Sequence, residues 1–107
     1  MTKIYIAGKV TGLDPEQTKL KFSLASIELT QKGFEVANPI SIVKNSQANW
    51  NEAMKLCIAE LVTCDAVLLL PCHINSKGAI IEKKLCDDLE IKTFESMWCL
   101  TQYFRNR

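Results

Sequence analysis

The stretch CHINSKGAIIEKKL, residues 72–85, sets a glutamate inside a helical pattern that follows a loop of His, Asn, Ser and Gly. With the helix beginning near Ser76 and turning about 100° per residue, Glu82 projects between Leu85, Cys86 and Leu89. Lys83, Lys84, Asp87 and Glu90 fall on the other side. A carboxylate on the face meant for burial is costly unless it is paired or hydrated. A glutamate near a helix start gains from the macrodipole and need do nothing more, but the Ser76-to-Glu82 spacing is too long for a capping box. The other reading is chemical. The backbone N–H groups of Ser76 to Ala79 would face the same cleft and form an anion site. The dipole would hold Glu82 ionised, the state that a carboxylate nucleophile needs. Such a carboxylate beside a phosphate cradle suits attack at the anomeric carbon of a sugar.

Those residues must be positioned by their surroundings. KIYIAG reads as a first strand, Lys3 to Ala7, closed by Gly8. In the following loop Asp14 is a candidate N-cap and Pro15 the first helical residue. The helix runs to Gln31 and stops at Gly33. FEVANP gives a second strand ended by proline, ISIVKNSQA a longer loop, and Asn49 caps a helix through Val62. DAVLLLP, apolar throughout, reads as a central parallel strand covered on both faces. After the 72–85 segment, IKTF is a fourth strand and ESMWCLTQYFRN a terminal helix. This alternation predicts a single domain over residues 1–107. It is an α/β fold: a three-layer, flavodoxin-like parallel sheet of four or five strands, order 2-1-3-4, with helices on both faces. Ligands of such sheets bind beyond the carboxyl ends of the strands, where the connections diverge. That brings AGKVTG, with Gly8, Lys9 and Gly12, against PCHINSKG, with Ser76 and Gly78.

Composition narrows the partners. The chain has 107 residues, 48% hydrophobic and 23% charged, with a formal net charge of +1. Neither nucleic acid nor a membrane surface is the expected partner of so balanced a chain, and no segment reaches the length of an apolar membrane span. Five cysteines (Cys57, Cys64, Cys72, Cys86, Cys99) include no CxxC pair and, with one histidine, no zinc-ligand spacing. Reduced, mostly buried thiols and a cytoplasmic location are expected. Cys64 and Cys86 read as small core hydrophobes, and adjacent Cys72 and His73 are poorly disposed to act as a catalytic pair.

KIYIAGKVTG, the NP after the second strand, CDAVLLLP and NSKGAIIE, in that order and spacing, resemble the nucleoside 2-deoxyribosyltransferase-like superfamily. The resemblance covers Lys3 to Phe94 and is greatest to a short phage and bacterial branch of unassigned function. It implies a glutamate nucleophile that forms a glycosyl–enzyme intermediate, at the position of Glu82, and a tyrosine near it, at Tyr5. It implies an N-glycosidase or a base-exchanging transferase acting on a nucleoside or nucleoside monophosphate, without metal or other cofactor. The Ser-x-Gly-x-x-x-Glu spacing of Ser76, Gly78 and Glu82 is similar to that of the 2'-deoxynucleoside 5'-monophosphate N-glycosidases. A serine there can hold a 5'-phosphate, whereas the carboxylate common in the transferases would repel it.

The chain departs from these relatives at Cys57, where active families have an aspartate. Cys57 joins Trp50, Met54 and Leu61 in an apolar stripe, and Asp65 starts the third strand, at the wrong end to replace it. Asp14 and His73 lie on loops at the correct end and are the candidate proton donors. Lys9 would add a phosphate contact or sit in solvent. The first helix has two apolar faces, Phe22, Ala25 and Leu29 on one and Leu20, Leu24 and Ile27 on the other. The second face requires cover from the terminal helix, with Trp98, Leu100 and Phe104, or from another copy. The resemblance adds weight to a homo-oligomer, a dimer or larger. Three functions compete: the glycosidase or transferase, a nucleotide-binding sensor that has lost turnover, and a small homo-oligomeric interaction protein.

Overall fold

The computed structural model describes residues 1–10, 13–43 and 49–105, with the side chain of Cys72 also outside the description. Its strands are β1 (Lys3–Ala7), β2 (Glu35–Ala37), β3 (Ala66–Leu69) and β4 (Lys92–Phe94). All pair in parallel in the order β2-β1-β3-β4. The predicted order therefore holds, with four strands among the described residues. Period-two alternation divides the sheet into two cores. Tyr5, Ala7, Ala37, Val67 and Leu69 point to one face, where α3 (Trp50–Leu61) and α4 (Lys77–Leu89) supply Cys57, Leu61, Ala79 and Cys86. Ile4, Ile6, Ala66 and Leu68 point to the other, against α1 (Pro15–Gln31) and α5 (Met97–Arg105). Because β1 and β3 are covered on both sides, nearly every residue in them is buried.

Local chemistry explains the helix boundaries. Pro15 opens α1, and Gly33 just beyond it takes φ of +90°, a conformation that suits glycine. Asp14 holds the cap position with its backbone, but its side chain makes no capping hydrogen bond, contrary to expectation. Asn49 and Ser76 do cap with their side chains, accepting from the Glu52 and Ala79 amides at 2.8 and 3.1 Å.

Two loop expectations are corrected. Asn38 accepts from the Ile40 amide and, with Pro39 behind it, starts a short helix, α2 (Pro39–Ile42), inside the segment read as loop. Pro71–Asn75, likewise read as open loop, winds into a 3-10 turn.

The two faces of α1 receive different treatment. Phe22, Ala25 and Leu29 are buried, and α5 reaches their cluster through Leu100 and Phe104. Leu20, Leu24 and Ile27 stay more than half exposed at 58%, 58% and 51%. Cover by the terminal helix is thus not how the second face is accommodated. Phe104 is drawn to the other side by edge contacts with Phe34 at 5.6 Å and Tyr103 at 5.0 Å, and Trp98 faces solvent. No helix among the described residues is long and apolar enough to cross a membrane.

Candidate active site at the carboxyl edge of the sheet

Beyond the ends of β1 and β3 lies a cavity of about 590 Å³, within the range of small-ligand sites. Its floor holds Glu82, Tyr5 and Cys57. Ser76 caps α4, and Ala79, Glu82 and Cys86 follow at helical spacing as its buried residues, which sends Glu82 inward towards the sheet. Tyr5 reaches it from β1: its hydroxyl donates to Glu82 Oε2 at 2.7 Å, both groups buried. Oε1 makes no hydrogen bond among the described residues and, unlike a sealed atom, keeps some accessible surface.

The electrostatics of this trio follow from burial. Desolvation pushes the Glu82 carboxyl up to about 7, and the Tyr5 hydrogen bond only partly opposes it. The helix dipole therefore does not hold Glu82 fully ionised at neutral pH, as its place on α4 had suggested. Burial, and then the Glu82 charge, raises Tyr5 far above its ordinary value, so it remains a neutral donor. Cys57 is also raised by burial and remains a thiol. Its side chain does not merely pad an apolar stripe; it belongs to the Tyr5–Glu82 cluster at the cavity floor.

Several predicted residues converge here. Gly8, Ser76 and Gly78 line the same cavity. A Cβ on Gly8 would stand 3.1 Å from Leu70 Cδ1 and 3.2 Å from Phe22 Cζ, so the bare backbone keeps this corner open. A Cβ on Gly78 would come within 2.9 Å of Met54 Sδ, which makes Gly78 a close-approach point between α3 and α4. Ser76 Oγ and the Ser76 carbonyl accept the Ala79 and Ile80 amides. The Lys77 and Gly78 amides are then the first-turn donors able to meet an anion.

Other candidates are placed elsewhere. His73 is buried, with Nδ1 2.8 Å from the Leu70 carbonyl oxygen and Nε2 3.3 Å from Glu95 Oε1. It lines a separate shallow hollow with Ile74 and Ile80, turned away from Glu82. Asp14 is exposed and outside the lining, although its neighbours Leu13, Pro15 and Glu16 belong to it. Lys9 does not line the cavity, and its carbonyl accepts from Lys21 Nζ at 3.4 Å. Gly12 lies outside the described residues. Asp65 sits at the opposite edge of the sheet, where it accepts from the Lys3 amide at 2.8 Å.

Sequence reasoning missed the wall contributed by α1. Glu16, Thr18 and Lys19 all line the cavity, and Thr18 is 3% exposed. Thr18 Oγ1 is the single buried side-chain oxygen or nitrogen among the described residues with no hydrogen-bond partner. A threonine inside a helix carries no motif, and only its placement over the cavity distinguishes it. At the mouth, Lys77 Nζ rests 4.5 Å from the centre of the Trp50 ring, a cation–π contact that no spacing rule anticipates.

No curated protein matches the chain. Residues 2–94, which carry the whole sheet and every residue of the cavity floor, match the model of a family described as domain of unknown function (DUF4406), and the chain belongs to that family.

Proposed function

We propose that this protein binds a 2'-deoxynucleoside 5'-monophosphate in the carboxyl-edge cavity and cleaves its N-glycosidic bond through Glu82. The observation that carries the reading is a buried carboxylate, held by one neutral donor, opening on a ligand-sized cavity beside a helix N-terminus. The resemblance of the motifs around Tyr5, Ser76, Gly78 and Glu82 to the nucleoside 2-deoxyribosyltransferase-like superfamily supports it. Glu82 Oε1 attacks C1'; the C1'–N bond breaks with its electron pair passing to the base nitrogen, which takes a proton. The resulting glycosyl ester is displaced by water, or by a second base in a transferase. The Tyr5 hydroxyl, fixed on Oε2, orients the carboxylate. The Ser76 hydroxyl and the Lys77 and Gly78 amides meet the 5'-phosphate. Glu16 is the other carboxyl-bearing lining residue among those described, so it takes the proton-donor role expected of Asp14 or His73.

A second reading, a sensor that binds the nucleotide without turnover, is favoured by Cys57. That thiol occupies the cavity floor at the position of the relatives' aspartate, and its raised pKa makes it a weaker acid still. The homo-oligomer reading rests on the exposed row of Leu20, Leu24 and Ile27.

One incubation separates these readings: the four 2'-deoxynucleoside 5'-monophosphates and the matching nucleosides, with free base followed by chromatography. Wild type is expected to release base, faster from monophosphates, and Glu82→Ala to lose at least roughly a thousandfold. Release that survives the substitution removes Glu82 from the mechanism. Monophosphate binding without release makes the protein a sensor. Neither binding nor release leaves Glu82 structural and the exposed row of α1 as the functional surface.

A further inference from the structure

Taking the nucleotide reading as its premise, we propose that Thr18 is the residue that selects the heterocycle, its hydroxyl hydrogen-bonding the polar edge of the base. The sheet divides the cavity. Tyr5, Cys57 and Glu82 belong to the α3–α4 side, and Thr18 to α1 on the opposite face. Gly8, at the end of β1, lies between them without a side chain to bar the way. A sugar whose C1' meets Glu82, with its phosphate turned to the first turn of α4, projects its remaining substituent across the sheet edge. That substituent is the base, and the wall it meets is α1.

The chemistry of that wall fits a flat heterocycle. Val10, Leu13 and Pro15 give it apolar surface, and Thr18 is its buried polar group. The other polar side chains deep in the cavity each make at least one hydrogen bond, Tyr5 with Glu82 Oε2 and Ser76 Oγ with the Ala79 amide. Thr18 Oγ1 has none among the described residues, and a hydroxyl left unpaired in the interior is destabilising. Helical threonines commonly return their hydroxyl to the carbonyl four residues back. Thr30 does so to Ser26 at 2.9 Å and Thr101 to Met97 at 2.8 Å, but Thr18 does not. Oγ1 is sealed from solvent in the unliganded protein, so a base edge would reach it through a turn of the Thr18 side chain about χ1 and would then supply the missing partner. A site built around one buried hydrogen bond discriminates strongly against ligands that cannot complete it.

The test compares wild type, Thr18→Val and Thr18→Ser as full chains. For calorimetric titration each chain also carries Glu82→Ala, so that no ligand is cleaved, and the ligands are the four 2'-deoxynucleoside 5'-monophosphates and 2-deoxyribose 5-phosphate, which lacks a base. Thermal melting of the unliganded proteins runs beside it. Thr18→Val is expected to bind the monophosphate preferred by wild type about tenfold more weakly and to narrow the spread among the four bases. It should bind 2-deoxyribose 5-phosphate as wild type does, and Thr18→Ser should stay close to wild type throughout. Unliganded Thr18→Val should melt no lower than wild type, because an unpaired buried hydroxyl has been removed. Wild-type affinity of Thr18→Val for the monophosphates overturns the assignment. So does an equal loss on the base-free sugar phosphate, which would place the hydroxyl on the sugar. A melting temperature several degrees lower also overturns it, because the hydroxyl would then be bonded inside the protein. If wild type itself binds none of the five ligands, the nucleotide reading falls and takes this assignment with it.

Discussion

The two edges of the sheet are both polar, yet they are built on opposite terms. At the amino edge, the Asp65 carboxylate accepts from the Lys3 amide at 2.8 Å, and Lys3 Nζ pairs with Glu60 and lies 3.1 Å from Thr63 Oγ1. These groups are exposed or half-exposed and matched in charge, so their pairing costs little desolvation. At the carboxyl edge, Glu82 is 5% exposed, has one neutral partner, and its carboxyl is pushed up to about 7. One edge closes the fold. The other holds a group whose charge depends on what enters the cavity, which is the condition expected of a site for chemistry.

That contrast can be broken most forcefully through stability. Glu82 ionises at about 4.5 in the unfolded chain and about 7 in the folded one. Between those values the unfolded state releases its proton first, so stability falls as pH rises and levels off above 7. Glu82→Gln keeps an acceptor for Tyr5 without the charge. It should abolish this slope and be more stable than wild type at pH 8 by up to about 3 kcal/mol, as read by urea unfolding at pH 5 and pH 8. If the two proteins show the same pH dependence, the edges do not differ as described. Tyr5→Phe sharpens the comparison at the level of rate. Removing the donor that opposes desolvation raises the Glu82 pKa further. Base release by wild type should climb through pH 7, and that limb should move to higher pH in the variant, with a loss of roughly tenfold at neutral pH. The smallest effect belongs to the amino edge. Asp65→Ala should cost about 1 kcal/mol, with base release unchanged, because its carboxylate touches only the sheet's opposite end.

How far the sequence revealed this molecule depended on the range of each signal. Apolar runs and helix punctuation are local, and they were enough for four strands, their order and most helix limits. Pro15, Gly33, Asn49 and Ser76 all mark ends where expected. The convergence of Gly8, Ser76, Gly78 and Glu82 on one cavity followed from topology. Side-chain direction was harder. His73 was on the correct loop, but the 3-10 turn folds its ring back onto the Leu70 carbonyl. Cys57 read as core because a thiol among apolar neighbours looks like core until Tyr5 is seen beside it. Thr18 was silent because its environment is assembled by residues from separate segments, from Gly8 to Glu82.

The Lys77–Trp50 contact gives the protein a built-in optical handle. Of its two tryptophans, Trp98 is 69% exposed on α5, away from the cavity, whereas Trp50 lines the mouth under an ammonium group 4.5 Å from its ring. An indole so close to a cation emits differently from one in plain water. An anion that draws Lys77 aside, or a ring that slides against Trp50, changes that emission while Trp98 stays constant. With Trp98→Phe as the parent, occupancy of the cavity becomes visible in unlabelled protein, whether or not the ligand is turned over.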